Sequence, residues 1–194
     1  MNRKTMDIHT LTGVAIFTAI VIVLQLLGSF IRFGPFSISL VLIPIVVGAA
    51  LYGPGAGAWL GFVFSMAVLL SGDAGAFLAV NVPGTIITVI AKGVCAGFAA
   101  GAVFKVLEKV NMWLAVICAA LICPVVNTGL FLVGCELFFM ETISGWGRAM
   151  GFESVGSYMI YGLVGGNFLF EVLSNTILSP VILRLIRIGR KEKA

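Results

Sequence analysis

Residues 82–106, VPGTIITVIAKGVCAGFAAGAVFKV, decide the fold class. A helix needs about 20 mainly apolar residues to cross the hydrocarbon core of a bilayer, and this stretch supplies 25 with only Lys92 and Lys105 charged. Gly93, Gly97 and Gly101 stand four apart and form a smooth strip along one helical face. Lys92 lies roughly 15 Å in from the start at about 1.5 Å per residue, near mid-bilayer. A charge there is expensive, so it is expected to be partnered or to line a cavity.

The whole chain has the same character. Of its 194 residues, 60% are hydrophobic and 10% are charged, with a mean hydropathy of +1.16. A soluble domain carries about 25% charged residues to cover its exterior. Eight acids and twelve Lys and Arg cannot coat a 20.5 kDa globule, but they can cap the ends of a bundle whose sides face lipid. The expected architecture is therefore an all-α, polytopic membrane bundle forming a single domain over residues 1–194.

Outward from residues 82–106, further apolar runs predict five more spans: about Leu11–Phe30, Ile38–Leu51, Gly57–Leu70, Trp113–Met140 and Tyr158–Ile186. The second and third are short, and the sixth is expected to kink near Pro180. Residues 141–157, with Trp146, Arg148 and Glu153, read as a polar, glycine-rich loop. The run after Arg3 and Lys4 is too long for a signal-peptide core and is read as the first helix. With the N-terminus inside, Arg3, Lys4, Lys105, Lys109 and five C-terminal cations gather on the cytoplasmic side, against Arg32 and Arg148 outside. That asymmetry predicts both termini in the cytoplasm and six transmembrane helices, or four if the two short segments form a re-entrant hairpin. The net charge of +4 reflects these ends, and no basic recognition face for nucleic acid is present.

The polar residues at membrane depth carry the functional reading. Lys92, Asn127 and Glu171 fall at a similar depth on three different helices. Asn81, Thr85 and Thr88 recur on the Lys92 face, Asn167 and Asn175 flank Glu171 at i−4 and i+4, and Glu136 continues the path outward. Two accounts fit: a structural Lys92–Glu171 ion pair with asparagines bonding neighbouring backbones, or a polar pocket between the fourth, fifth and sixth spans. The glycine strips, Gly53/Gly57/Gly61 and Gly93/Gly97/Gly101, favour packing within the chain over dimerisation. The four cysteines read as free thiols, and a single His9 leaves no metal set. No nucleophile–histidine arrangement lies in the membrane and no phosphate-binding loop occurs, so neither an enzyme nor a resident cofactor or metal is expected.

The chain resembles the substrate-binding components of energy-coupling factor (ECF) vitamin transporters. The resemblance spans nearly all of it, through Ala15-Ile-Phe-Thr-Ala19, Leu51-Tyr-Gly-Pro-Gly-Ala-Gly57 and Asn175 followed by Ser179-Pro-Val-Ile182. It implies a prokaryotic plasma-membrane protein that captures a vitamin or related micronutrient from outside. Its partners would be a transmembrane coupling subunit, facing Ala15 and Ala19, and two ATPases that hydrolyse the ATP. Arg32 and Trp146 would sit in two lids over the substrate, and Arg32 or Lys92 would meet an anionic group, as in pantothenate. The third span departs from the family's pattern: it reads Phe64-Ser65-Met66 where many relatives carry an acid, which puts a ligand contact there in doubt. Competing readings are a structural scaffold in a cell-envelope complex and a self-sufficient secondary transporter, although no inverted repeat is visible.

Overall fold

The computed structural model describes residues 8–30, 32–33, 36–37 and 40–191. The expected anchors Arg3, Lys4 and Lys193 lie outside the described residues, as do the side chains of Arg32 and Lys191. Helix α1 (Ile8–Phe30) leads into a minimal hairpin, β1 (Arg32–Phe33) and β2 (Phe36–Ser37). Then follow α2 (Leu42–Tyr52), α3 (Pro54–Ser71), α4 (Gly75–Leu78), α5 (Val82–Leu107), α6 (Met112–Phe138) and α7 (Met140–Ala149). The last rod runs from α8 (Val155–Ser157) through a π-helical stretch, Tyr158–Val164, into α9 (Gly165–Ile177). It then bends by 53° into α10 (Ser179–Lys191).

Four helices, α1, α3, α5 and α6, are long and apolar enough to cross a membrane, and the bent rod adds a fifth if counted as one broken span. The chain is thus a multi-pass helical bundle. The remaining expected span, α2, has only 11 helical residues, about 16 Å, against a core of roughly 30 Å. Its helix starts at Leu42 rather than near Ile38 and ends at Gly53, whose φ of 92° suits glycine and lets Pro54 open α3 at once. The kink expected near Pro180 is present, at Leu178. Two boundaries differ from expectation. The fifth span stops at Phe138 rather than Met140, and residues 140–149 form a helix instead of a loop. The polar and glycine residues there follow a strongly amphipathic period, which buries Ile143 and Gly147 and leaves the other face exposed.

Gly93 and Gly97 pack against Gly61 and Gly57, whereas Gly53, expected in the same strip, lies at the turn before α3 outside the helix face, and Gly101 meets Pro54 instead. A Cβ placed on Gly93 would lie 2.5 Å from the Gly61 carbonyl oxygen, one on Gly57 would overlap Gly97, and one on Gly101 would lie 2.7 Å from the Pro54 Cα. Helices α3 and α5 therefore run antiparallel with backbones in contact, the close approach that small residues allow in lipid. The hydroxyl of Ser65 extends this seam, 2.7 Å from the Val89 carbonyl oxygen and 2.9 Å from that of Gly61.

A second device closes α6 against α9. Pro124 sits inside α6 and has no N–H for the carbonyl of Ala120 one turn earlier. The Asn175 side-chain amide donates to that carbonyl at 3.1 Å. Asn175 is buried and its own carbonyl accepts from the Ser179 hydroxyl at 2.9 Å.

At one end of the bundle Gly13 meets Tyr52, Gly189 meets Leu51, and Arg190 pairs with Glu108 while lying over Phe104. Both described chain ends gather there. The opposite end holds the C-termini of α1, α3 and α6 and the N-terminus of α5.

Candidate functional site

At this opposite end the helices part around a cavity of about 190 Å³. The sequence places polar side chains on successive turns of three helices, and the bundle turns those faces inward. Thr85, Thr88 and Lys92 come from α5, Asn127 and Thr128 from α6, and Asn167 and Glu171 from α9. Leu163 and Val164 reach it from the π-helical stretch, a distortion that often marks functional sites.

The ammonium of Lys92 lies between two rings, 5.2 Å from the centroid of Phe131 and 5.8 Å from that of Phe64. Of the two accounts, the direct one has no ion pair between Lys92 and Glu171 within 4.0 Å among the described residues. Aromatic faces carry the negative part of their quadrupole, and they hold the cation in place while leaving its three donors available. Glu171 is 2% exposed; its Oε1 accepts from the Asn167 side-chain amide at 3.1 Å. Four buried oxygens have no hydrogen-bond partner among the described residues: Thr88 Oγ1, Asn127 Oδ1, Asn167 Oδ1 and Glu171 Oε2. All four belong to residues that line this one cavity. Buried polar atoms are nearly always satisfied, so this concentration is the site's most informative property.

The cover is aromatic. Phe77, on the short α4, packs edge-to-face against Phe131, Phe139 and Trp146 at 5.4, 5.1 and 5.5 Å between centroids. Beside it, Gln25 of α1 donates to Asp73 Oδ2 at 2.6 Å, tying α1 to the segment that carries Phe77.

Six residues singled out from sequence meet at the cavity: Thr85, Thr88, Lys92, Asn127, Asn167 and Glu171. Trp146 stands above it through Phe77. Asn81 does not line it; its side chain accepts from the Gly84 N–H and caps α5, beside a shallower depression. Glu136 is exposed and does not line it either. Ala15 and Ala19 lie on an exposed face of α1, at a distance from the cavity along the helix. The hairpin carrying Arg32 approaches α1 and α9, but the Arg32 side chain is outside the described residues.

Several lining residues escaped the sequence reading. The third span does reach the cavity, through Phe64 and Val68, although it lacks an acid there. Asp73, just past its end, lines the wall as well, with Gln25 as its partner. Gln25 carried a signal, being the one amide in the first span. Phe64, Phe77 and Phe131 carried none, because nothing distinguishes them from lipid-facing aromatics until the helices are placed.

A partly open, ring-lined chamber bearing polar groups, set in a multi-pass helical bundle, has the build of a small-molecule site. The family comparison sharpens that class. The family model "ECF transporter, substrate-specific component" matches residues 9–186, and the chain belongs to that family. No curated protein and no solved structure matches it. Members are transport subunits rather than enzymes, and they confer substrate specificity on a transporter assembled with an ECF module.

Proposed function

We propose that this chain captures a water-soluble vitamin or related micronutrient carrying a carboxylate, with pantothenate the leading candidate, and delivers it inward through an ECF module. The observation that carries this reading is the cavity beneath Phe77, where one ammonium and four unpartnered oxygens converge. Lys92 takes the anionic group, Asn127 and Asn167 take amide and hydroxyl groups, and Phe64 and Phe131 flank the apolar part. The 32–37 hairpin, with Arg32, and the segment bearing Trp146 act as lids. Six crossings of a prokaryotic plasma membrane, with α2 the shortest, put both termini in the cytoplasm and the cavity toward the outside. The gathering of both described chain ends opposite the cavity supports this orientation.

Transport itself needs a partner. The exposed, small Ala15 and Ala19 suit close sliding contact with the coupling subunit, and two ATPases would supply the energy for toppling the loaded protein inward. Native mass spectrometry of the detergent-purified chain is the direct test, and a retained vitamin is the expected result. A chain that never retains a solute and shows no thermal shift with any vitamin would argue for a scaffold instead. For the coupling face, Ala15→Trp with Ala19→Trp should abolish uptake in cells while leaving solute affinity intact; unchanged uptake would remove these residues from the interface.

A further inference from the structure

The last helix, α10, is divided lengthwise into three faces. Ile182, Leu183 and Ile186 are at most 2% exposed and hold it against the bundle core. On the outer side Val181, Leu185 and Ile188 recur at i, i+4 and i+7 as an apolar ridge, 46–50% exposed. Arg184 and Arg187 flank that ridge, both exposed and without an acidic partner among the described residues. Arg190, a turn further on, is neutralised by Glu108.

The spacing says what covers the ridge. Leu169, Leu173 and Ile177 of α9 are exposed four residues apart, and the series runs on across the bend at Leu178 into Val181 and Leu185. On the broken span that α9 and α10 form, such a stripe faces hydrocarbon. Arg184 enters one turn past the bend, where hydrocarbon gives way to headgroups. The same end of the bundle carries exposed Lys105 and Lys109 from α5, and Trp113, 45% exposed, in the first turn of α6. Basic residues and tryptophan are the side chains that mark a membrane–water boundary.

We infer that α10 is a binding site for anionic phospholipid, with the Val181–Leu185–Ile188 ridge among the acyl chains and Arg184 and Arg187 on the headgroup phosphate. The guanidinium fork matches phosphate oxygens bidentately and stays charged at any physiological pH. A zwitterionic headgroup offers the same phosphate, but its ammonium opposes the cationic cluster, so the net-negative lipid is preferred. Each cation near an anionic surface strengthens attachment by roughly fivefold. The inference is independent of what the cavity binds.

The test is a thermal-shift comparison on the full chain, delipidated in a neutral detergent. Phosphatidylglycerol is added beside phosphatidylcholine with the same acyl chains, and beside glycerol phosphate, which has the anion without the chains. Phosphatidylglycerol is expected to raise the Tm at a concentration about tenfold lower than phosphatidylcholine, with no shift from glycerol phosphate. Sodium chloride at about 0.5 M should remove that preference. Arg184→Gln with Arg187→Gln should bring the two lipids within about threefold of each other and leave the lipid-free Tm unaltered, because both side chains are exposed. Leu185→Gln with Ile188→Gln should weaken both lipids alike. Equal potency of the two lipids on the wild type overturns the inference, as does a preference that survives salt or the arginine changes. Glycerol phosphate acting as strongly as the lipid would make this a site for free anions, and a ridge variant with full potency would remove the ridge; either outcome overturns it too. Should the arginine variant fail to fold, the salt series on the wild type still decides.

Discussion

Helix α5 presents two faces that solve opposite problems. On one, Gly93, Gly97 and Gly101 press backbone to backbone against α3, and the polar hydroxyl that enters this seam, that of Ser65, reaches two carbonyl oxygens. On the other, Thr85, Thr88 and Lys92 border a chamber in which four oxygens are left without partners. In lipid no hydrophobic effect drives helices together, so association rests on close packing and on satisfied polar groups. The seam meets both conditions, and the chamber meets neither. The difference separates what holds this protein together from what it holds.

The most damaging way to disturb that contrast is on the seam. Gly61→Val places side-chain atoms against the Gly93 backbone, which cannot rotate away as a side chain could. Overpacking of this kind typically costs about 1–3 kcal/mol and more where backbone is the obstacle. The expected outcome is loss of monodisperse protein in size-exclusion chromatography, or a greatly lowered Tm. A well-behaved variant with wild-type Tm would mean that α3 and α5 do not touch as described. The second effect belongs to the chamber. Lys92→Met should fold normally yet weaken solute binding by roughly 10–100-fold, the loss of a charge-assisted hydrogen bond worth about 1.5–3 kcal/mol. Calorimetry with the co-purified solute reads this directly, and unaltered affinity would return Lys92 to a structural role.

The two faces also differ in how legible they were. Glycines four apart in a 25-residue apolar run announce a packing strip, and the strip found its partners in Gly61, Gly57 and Pro54 of α3. Lys92, Asn127 and Glu171 were legible because charges and amides at membrane depth are rare enough to stand out. Their meeting was a matter of depth and helical period. What the sequence concealed depends on three-dimensional placement. Nothing local distinguishes Phe64 and Phe131, which cradle Lys92, from Phe98, which is exposed on the bundle's side. The helix over residues 140–149 was hidden by its glycines and polar residues, which read as a loop until their period is seen to bury Ile143 and Gly147. Asn175 had looked like part of the same polar stripe as Glu171, and its true partner became visible only when Pro124 was found beside it.

That partnership gives the third effect. Asn175→Leu removes the donor to the Ala120 carbonyl that Pro124 leaves open, and a buried group left unpaired costs about 1–3 kcal/mol. A Tm several degrees lower is expected, with solute affinity changed little once the protein is folded. Should the Tm hold, the proline-exposed carbonyl must be satisfied in another way.

The smallest expected effect is the most discriminating. Thr88→Val keeps the shape of the side chain and deletes a hydroxyl that is buried at the chamber wall without a hydrogen-bond partner in the described structure. If that hydroxyl served the fold, its loss would lower the Tm as Asn175→Leu does. If it serves the solute, the empty protein should melt within about 1 °C of wild type or slightly above it, because an unpaired buried hydroxyl is itself unfavourable. Affinity for the co-purified solute should fall by roughly threefold to tenfold, the range of a single neutral hydrogen bond. A lowered Tm with unchanged affinity would erase the distinction between the two faces of α5 one turn from Lys92.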